Sequence, residues 1–191
     1  HLSKDKHMIE AFHEGNDIHA ATAAKVFKTD INEVSREQRS KAKTANFGII
    51  YGISPFGLAQ RLDISRSEAK ELIDNYFASY PKVKQYMEDV VLAAHQSGFV
   101  STIFARRRYL DGIDSANANT RALAERNAIN APIQGSAADI MKIAMVGVAK
   151  AFKEQGIRSK LILQVHDEIV VDLIPSERET VERIVREQME G

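Results

Sequence analysis

The sequence predicts an α+β fold that is mostly helical, with a small antiparallel sheet late in the chain. Most of the first hundred residues divide into helix-length segments that begin at Ser or Pro and often end at Gly. Two later segments, Leu161–Val165 and Ile169–Leu173, are short apolar runs typical of strands, and His166-Asp167-Glu168 separates them as the tip of a hairpin. Helices followed by a separate group of strands are typical of the α+β class.

Start and stop signals predict each helix in order. Helices are expected at 7–14, about 18–27, 35–51, 56–62, 65–79, 81–97, about 120–131 and 135–155, with a final charged helix from 176. Capping boxes of Ser35 with Gln38 and of Ser65 with Glu68 would begin two of them. Pro132 is expected to end the helix before it, because its ring removes a backbone donor.

The segment after residue 98 has two further features. Phe99–Phe104 and Arg108–Leu110 are predicted as short strands around the basic tip Ala105-Arg106-Arg107. A later helix carries an apolar stripe that is expected to be buried as ordinary core. Its members are Ile140, Ile143, Ala144, Val148 and Ala151.

Composition excludes several classes of protein. The 191 residues are 44% hydrophobic and 27% charged, as in an ordinary globular protein, and the absence of cysteine excludes a disulfide scaffold and a thiolate metal site. The formal net charge is zero, so binding to nucleic acid would depend on local basic patches. No apolar run approaches the roughly 18 residues of a membrane span, and we expect no membrane partner. Since the chain starts without methionine, we also expect it to be part of a longer one.

The predicted helix Ser35–Gly52 has an unusual face. Arg39, Lys43, Phe47 and Tyr51 recur at intervals of four, so successive members turn only about 40° around the axis and share one side. That side is cationic at one end and aromatic at the other over about 18 Å, which would match the triphosphate and base of a nucleotide. The opposite side is apolar and expected to be buried. It consists of Ala42, Ala45, Ile49 and Ile50.

The hairpin tip is the second candidate site. Asp167, held between two apolar strands, would project its carboxylate toward a divalent cation such as Mg²⁺, which favours one or two protein carboxylates together with phosphate oxygens and water. Glu168 would lie at the rim.

Both patterns have plainer interpretations that the pattern alone leaves open. A row of Lys and Arg on a helix is commonly a solvated face, and Phe47 and Tyr51 would then be core or half-buried residues. Acidic residues beside a strand turn are commonly turn formers. Gly48 favours a special role for the helix, because glycine there costs about 1 kcal/mol relative to alanine and indicates close packing.

Taken together, three motifs resemble the A-family DNA polymerases of the bacterial DNA polymerase I type. They are Arg39-x3-Lys43-x3-Phe47-Gly48-x2-Tyr51-Gly52, then Arg126-x3-Asn130-Ala131-Pro132-x-Gln134-Gly135, then His166-Asp167-Glu168. The resemblance covers essentially the whole chain. It implies a right-hand polymerase fold, with residues 1–18 ending the first palm segment, 19–112 forming the fingers and 113–191 forming the second palm segment.

The resemblance also implies a role for each nucleotide-binding residue. Arg39 and Lys43 would contact the triphosphate of the incoming dNTP, and Lys43 would be the general acid toward pyrophosphate. Phe47 would pack on the sugar, and a Phe here implies poor acceptance of dideoxynucleotides. Tyr51 would stack near the templating pair and fill the empty insertion site.

For DNA and metal, the resemblance implies the remaining roles. Arg126, Asn130 and Gln134 would contact the minor groove of the primer–template, and His166 would lie against the primer end. Asp167 would bind metal, with Glu168 in a supporting catalytic role. The basic run, chiefly Arg106 and Arg107 with Arg108 following, would contact phosphates.

The implied cofactor is a pair of Mg²⁺ ions, and the family's other metal-binding Asp would lie about a dozen residues before His1. The implied partners are therefore primer–template DNA, dNTPs and the rest of the polymerase chain, including the thumb. We expect this chain to be inactive alone, and the parent protein to be cytoplasmic and associated with the bacterial nucleoid.

Three other functions are compatible with part of this pattern. A single-subunit RNA polymerase shares the cationic helix, but Phe47 and the Gln134 motif argue against it. A non-catalytic nucleotide- or nucleic-acid-binding module is disfavoured by the presence of both Lys43 and Asp167. A metal-dependent phosphohydrolase has little support from a single placed carboxylate.

Overall fold

The computed structural model describes residues 2–13, 15 and 17–191, and it has the predicted α+β architecture. In chain order the elements are α1 (Lys6–His13), α2 (Ile18–Phe27), α3 (Arg36–Ile50), α4 (Pro55–Leu62), α5 (Arg66–Ser79), α6 (Pro81–Ser97), β1 (Phe99–Ser101), β2 (Arg107–Tyr109), α7 (Ala118–Glu154), β3 (Lys160–Val165), β4 (Glu168–Asp172) and α8 (Arg178–Glu190). Glu14, the predicted end of the first helix, lies outside the described residues. None of the helices in the described ranges combines the length and the apolar character that crossing a bilayer requires.

The helix boundaries follow local hydrogen-bond chemistry. Ser35 and Gln38 form the predicted capping box, with Gln38 N donating to Ser35 Oγ at 3.1 Å and Ser35 N donating to Gln38 Oε1 at 2.9 Å. Ser65 and Glu68 form the second one in the same way. Gly98 ends α6 in a left-handed conformation with φ 75°. These predictions are confirmed.

The chain divides into two compact units. The first comprises the residues up to Ser101 together with Arg107–Pro132. Its main core lies among α2 to α6. Its buried members are Val26, Ala45, Ile49, Leu58, Ala59, Ala69, Leu72, Tyr76, Tyr80 and Val83. A smaller cluster joins α6 and the β1–β2 hairpin to α7 through Ala94, Val100, Leu110, Ile113, Ala124, Ala128 and Ala131.

The second unit comprises Thr102–Arg106 and Ile133–Gly191. Val148 and Phe152 of α7 pack with Val181 and Ile184 of α8, and one side of the β3–β4 hairpin covers this core. The hairpin is antiparallel and pairs Val165 with Glu168. The predicted palm and fingers boundaries describe subdomains rather than these compact units, and they stay a prediction.

One prediction about α7 is wrong, because the helix does not stop at Pro132. It runs without a break from Ala118 to Glu154. The proline removes one backbone donor and its ring crowds the carbonyl four residues earlier, which belongs to Ala128. Ala128 is small and fully buried, and Ala131, the residue just before the proline, is nearly fully buried. Packing along a helix-favouring, alanine-rich surface thus outweighs the local cost of the proline.

The predicted core stripe on α7 is also partly wrong. Ala144 and Val148 are buried, but Ile140 and Ile143 are 50% and 55% exposed. A helical period specifies which residues share a side, whereas the neighbouring elements decide how much of that side is covered.

The strand boundaries and the last helix differ from the predictions as well. Strand β1 ends at Ser101, since Thr102 N donates to the carbonyl of Arg106 and begins the turn, and Arg107 lies inside β2 rather than at the tip. Helix α8 begins at Arg178 instead of near Ser176. The carboxylate of Glu177 is occupied elsewhere, by the backbone N–H groups of Arg158 and Ser159.

Candidate functional site

The predicted face of α3 is open to solvent along its whole length. Arg39 and Lys43 are exposed, and Phe47 and Tyr51 are 47% and 40% exposed. Neither ring therefore belongs to the buried core, but about half of each is covered, as the plainer interpretation also allowed. Large apolar rings left open beside cations form a surface suited to a flat, anionic ligand.

The opposite side of α3 anchors it to the core of the first unit. Ala42, Ala45 and Ile49 are at most 2% exposed, whereas Ile50 is only half-buried, which corrects its predicted burial. Gly48 has the expected packing reason: a Cβ there would lie 3.0 Å from Cγ2 of Ile53. The chain therefore turns back tightly against the end of the helix.

The end of α3 borders an open cavity of about 540 Å³. Tyr51, Arg61 and Arg126 are among its lining residues. Gly52 follows the helix with φ 70°, and a Cβ on it would lie 3.0 Å from Cγ of Arg126. This glycine therefore supplies both the left-handed conformation and the space for the arginine.

Arg39 has a partner that the sequence did not indicate. Its Nε donates to Oδ2 of Asp17 at 2.7 Å, and both side chains are partly exposed. Asp17 is also the N-cap of α2, where Oδ1 accepts from the N–H groups of His19 and Ala20. The hydrogen bond from Arg39 is the main cause that lowers the pKa of the Asp17 carboxyl.

His19 also lies beside this face, although sequence reasoning gave it no role. Its ring centroid is 5.6 Å from that of Phe47. Its Nδ1 is 3.1 Å from Nδ2 of Asn46, which also donates to Thr22 Oγ1 at 3.2 Å. Burial of the imidazole lowers the pKa of His19. The nearby Asp17 carboxylate acts in the opposite direction and offsets only part of this effect. Asn46 and Thr22 are buried, so the polar contact between Asn46 and the imidazole is made at the edge of the core.

The hairpin tip in the second unit is a two-residue turn. His166 and Asp167 form it, and His166 has φ 54°, which is unusual for a residue other than glycine. Glu168 is the first residue of β4 rather than part of the tip. All three side chains are exposed, and within the described part of the chain the Asp167 carboxylate has no hydrogen bond or ion pair.

The basic run divides into two environments. Arg106 is held against α7, donating from Nε to Asp139 Oδ1 at 2.8 Å and from Nη2 to the carbonyl of Gly135 at 3.0 Å. A Cβ on Gly135 would lie 2.7 Å from Thr102 Cγ2, so this glycine allows the turn to approach the helix. Arg107 instead lies over the ring of Phe99, 4.5 Å from its centroid, and is exposed.

The three predicted minor-groove residues lie on α7. Arg126 and Asn130 belong to the first unit, and Gln134 belongs to the second. Arg126 and Gln134 are exposed. Asn130 is half-buried, and its Oδ1 is a buried acceptor without a hydrogen-bond donor in the described residues.

Comparison with known proteins identifies the family. The model of DNA polymerase family A matches residues 1–191. The chain belongs to DNA polymerase family A. It is similar to DNA polymerase I of Caldicellulosiruptor bescii, with 52% identity over the full chain, and to those of Streptococcus pneumoniae and Geobacillus stearothermophilus, with 51% and 50% identity. The chain spans 22% of the length of each of these three relatives.

A solved structure of a family member agrees in fold. It is described as the POL domain of Pol1 from M. smegmatis in complex with DNA primer–template and dNTP, and it matches with a TM-score of 0.94 and 47% identity. The match covers 99% of this chain and 33% of that one. The resemblance to family A polymerases and the polymerase fold are thus confirmed, whereas the roles of single residues stay predictions.

Proposed function

We propose that this chain forms the fingers and the C-terminal part of the palm of a DNA-directed DNA polymerase, which adds dNTPs to a primer 3′-hydroxyl as a template directs. The observation that carries the proposal is the open cationic and aromatic face of α3 in a chain that belongs to family A. The relatives are named DNA polymerase I, and the similar Pol1 structure is described with primer–template and dNTP.

In this proposal the face of α3 binds the incoming nucleotide. Arg39 and Lys43 contact the triphosphate, Phe47 packs on the sugar, and Tyr51 stacks near the templating pair or fills the empty insertion site. His19 adds an imidazole at the side of Phe47. The order of charge and ring along the helix matches the order of phosphates, sugar and base along a nucleotide.

The reaction requires the protein to position the substrates and to stabilise developing negative charge. Nucleotidyl transfer forms a bond from the primer oxygen to the α-phosphorus, breaks the bond to pyrophosphate, and spreads negative charge over phosphate oxygens. The exposed Lys43 ammonium stabilises that charge and donates a proton to pyrophosphate as it leaves. Movement of α3 with the correct nucleotide would complete the site only when the base pair fits.

The proposed metal site is consistent with the hairpin tip but not completed by it. Family A DNA polymerases generally use divalent metal ions. The exposed, unpaired carboxylate of Asp167 suits a hard cation such as Mg²⁺, and Glu168 lies next to it. Among the described residues, no group of three or more potential ligands converges on one point. We propose that Asp167 would be one ligand of a two-Mg²⁺ site that an upstream Asp would complete. The ions would activate the primer hydroxyl and stabilise the leaving group.

DNA binding is assigned to α7, the hairpin tip and the basic run. Arg126, Asn130 and Gln134 contact the minor groove of the primer–template, and His166 lies at the primer end. Arg107, exposed beside Phe99, contacts a phosphate. The Arg106 guanidinium is already bound to Asp139 and Gly135, so its contribution to DNA binding is largely to hold the turn in place.

The remaining partner is the rest of the polymerase chain, including the thumb and the first palm segment. Because Asp167 alone cannot complete the metal site, we expect the isolated 191 residues to extend a primer at a negligible rate. We further propose that the parent protein works in the bacterial cytoplasm, in association with the nucleoid.

The test uses the longer polymerase that contains these residues, supplied with primer–template, dNTPs and Mg²⁺. Template-directed extension is expected, with a strong preference for dNTPs over ribonucleotides. Asp167→Asn should lower the rate by at least about 10²-fold, as for loss of a group that stabilises transition-state charge. Asp172→Asn is the matched control, because Asp172 is an exposed carboxylate at the far end of β4, the strand that follows Asp167. An equal loss in both variants, or no Mg²⁺-dependent extension, would contradict the proposal.

A further inference from the structure

We propose that Asp17 is a latch on the nucleotide site: it holds Arg39 in an ion pair when no nucleotide is bound, and the incoming triphosphate must displace it. The inference rests on the proposed function, because it assigns a regulator to the same Arg39 that would bind the triphosphate. Asp17 acts through Arg39 and is therefore a positioning residue.

The two oxygens of Asp17 have separate tasks. Oδ1 accepts from the backbone N–H groups of His19 at 2.9 Å and Ala20 at 3.3 Å, which caps α2. Oδ2 accepts from Nε of Arg39 at 2.7 Å, and Nη2 of the same guanidinium lies 2.5 Å away. The residues are 22 positions apart, so the pair joins two helices that a sequence pattern treats as independent.

This arrangement permits two states. When Arg39 leaves, the carboxylate keeps its two backbone donors, so it is not stranded without partners. When Arg39 is held, part of its hydrogen-bonding edge is unavailable to a phosphate. The side chains of Arg39 and Asp17 are 47% and 39% exposed, and a pair with that access to water is weak enough for a multiply charged ligand to break.

The latch responds to phosphate charge and not to the base. Asp17 contacts neither ring of the α3 face, since within the described residues its side chain is hydrogen-bonded to Arg39 and to the start of α2. Releasing the latch should therefore tighten the binding of any triphosphate, whether or not its base matches the template. Inorganic tripolyphosphate, which has no base or sugar, is the simplest probe of this property.

Asp17→Asn is the informative variant. The amide oxygen can still cap α2, since Asn is as good an N-cap as Asp, but an NH₂ group replaces Oδ2 and faces the donor edge of Arg39. Asp30→Asn is the matched control. Asp30 is also an exposed N-cap, accepting from Asn32 N at 2.8 Å, and no described cation pairs with it.

The experiment measures steady-state dNTP incorporation and tripolyphosphate inhibition in the longer polymerase chain. For Asp17→Asn, KM for a matched dNTP and Ki for tripolyphosphate should both fall about threefold, the size expected for an exposed pair, with kcat within about twofold. Asp30→Asn should leave both constants unchanged. An unchanged or raised KM in Asp17→Asn, or an equal fall in Asp30→Asn, would overturn the latch.

An Arg39→Ala background separates this inference from the proposed function. Arg39→Ala alone should raise KM, and adding Asp17→Asn to it should have no further effect. If Arg39→Ala leaves KM unchanged, the proposed role of Arg39 in nucleotide binding fails. If Arg39→Ala raises KM but Asp17→Asn lowers KM equally in both backgrounds, only the latch fails.

Discussion

The exposed face of α3 and the tip of the β3–β4 hairpin carry the two groups of candidate site residues, and they are supported differently. The α3 face is backed by buried Ala42, Ala45 and Ile49, and Arg39 on it already pairs with a carboxylate of its own chain. Asp167 is an exposed carboxylate on a two-stranded hairpin, where Leu163 and Val170 are 54% and 40% exposed. The proposed nucleotide-binding face is thus backed by the core of its own unit, whereas the proposed metal-binding tip would need further ligands beyond the described residues.

Catalytic loss on the α3 face should be the largest single effect. In the longer polymerase, Lys43→Ala should lower the single-turnover rate of incorporation about 10²- to 10³-fold, because it would remove both the cation proposed at the phosphates and the proposed proton donor. Lys41→Ala is the matched control, since Lys41 lies on the same helix and its Nζ is 2.7 Å from Glu37. A loss below about tenfold for Lys43→Ala would show that α3 binds nucleotide without assisting the chemistry.

The free energy of unfolding can show how strongly core packing supports each of the two regions. Leu58→Ala removes a fully buried side chain from the core behind α3 and should lower the free energy of unfolding by about 2–5 kcal/mol. Leu163→Ala on the hairpin removes a largely exposed side chain and should cost about 0.5 kcal/mol or less. Urea denaturation of the 191-residue chain measures both. Equal losses would mean that the hairpin is as well supported as the helix.

Sugar selectivity should depend on the α3 face alone. Phe47→Tyr places a hydroxyl where Phe47 would pack on the sugar, and it should raise the relative acceptance of dideoxynucleotides about tenfold or more. Competition between a dNTP and the corresponding ddNTP in primer extension measures this ratio. Phe56→Tyr is a control, because Phe56 is exposed on α4. No change in the ratio for Phe47→Tyr would place the sugar away from this ring.

The smallest effect should be a pH dependence within the first unit. His95 lies between Asp114 and Glu125, and the hydrogen bond to Asp114 is the main cause that raises the pKa of His95. Protonation is therefore favoured by folding, so this stabilisation is fully present below the ordinary pKa of about 6.5 and is lost as pH rises through the raised value. The stability difference between the wild type and His95→Gln should be larger at pH 5.5 than at pH 8.5, by roughly the small contribution of an exposed pair. A difference that is independent of pH would mean that His95 contributes only packing.

The sequence predicted what depends on neighbours along the chain. Ser35, Ser65 and Gly98 act through residues within a few positions, so their capping roles could be foreseen. The pairs Arg39–Asp17 and Arg106–Asp139 could not, because 22 and 33 residues separate the partners and no local period relates them.

The two errors on α7 have a related cause. Pro132 is a helix breaker by its own chemistry, and Ile140 is apolar by its own side chain, but tertiary packing decides the outcome for both. The resemblance to family A was predicted from three motifs in a fixed order, and no single helix or strand pattern contains all three. The family model confirms it.

The left-handed backbone of His166 limits how this hairpin can change by mutation. A residue with a β-carbon held at φ 54° costs roughly 1–2 kcal/mol, which a glycine would avoid in the folded state. Glycine would remove the imidazole at the proposed primer end and widen the motion of the neighbouring Asp167. A more relaxed turn is one substitution away, yet selection for activity would act against it. If Asp167 is the metal ligand proposed above, the hairpin would retain local strain in order to hold that carboxylate, and a single torsion angle would then relate stability to activity.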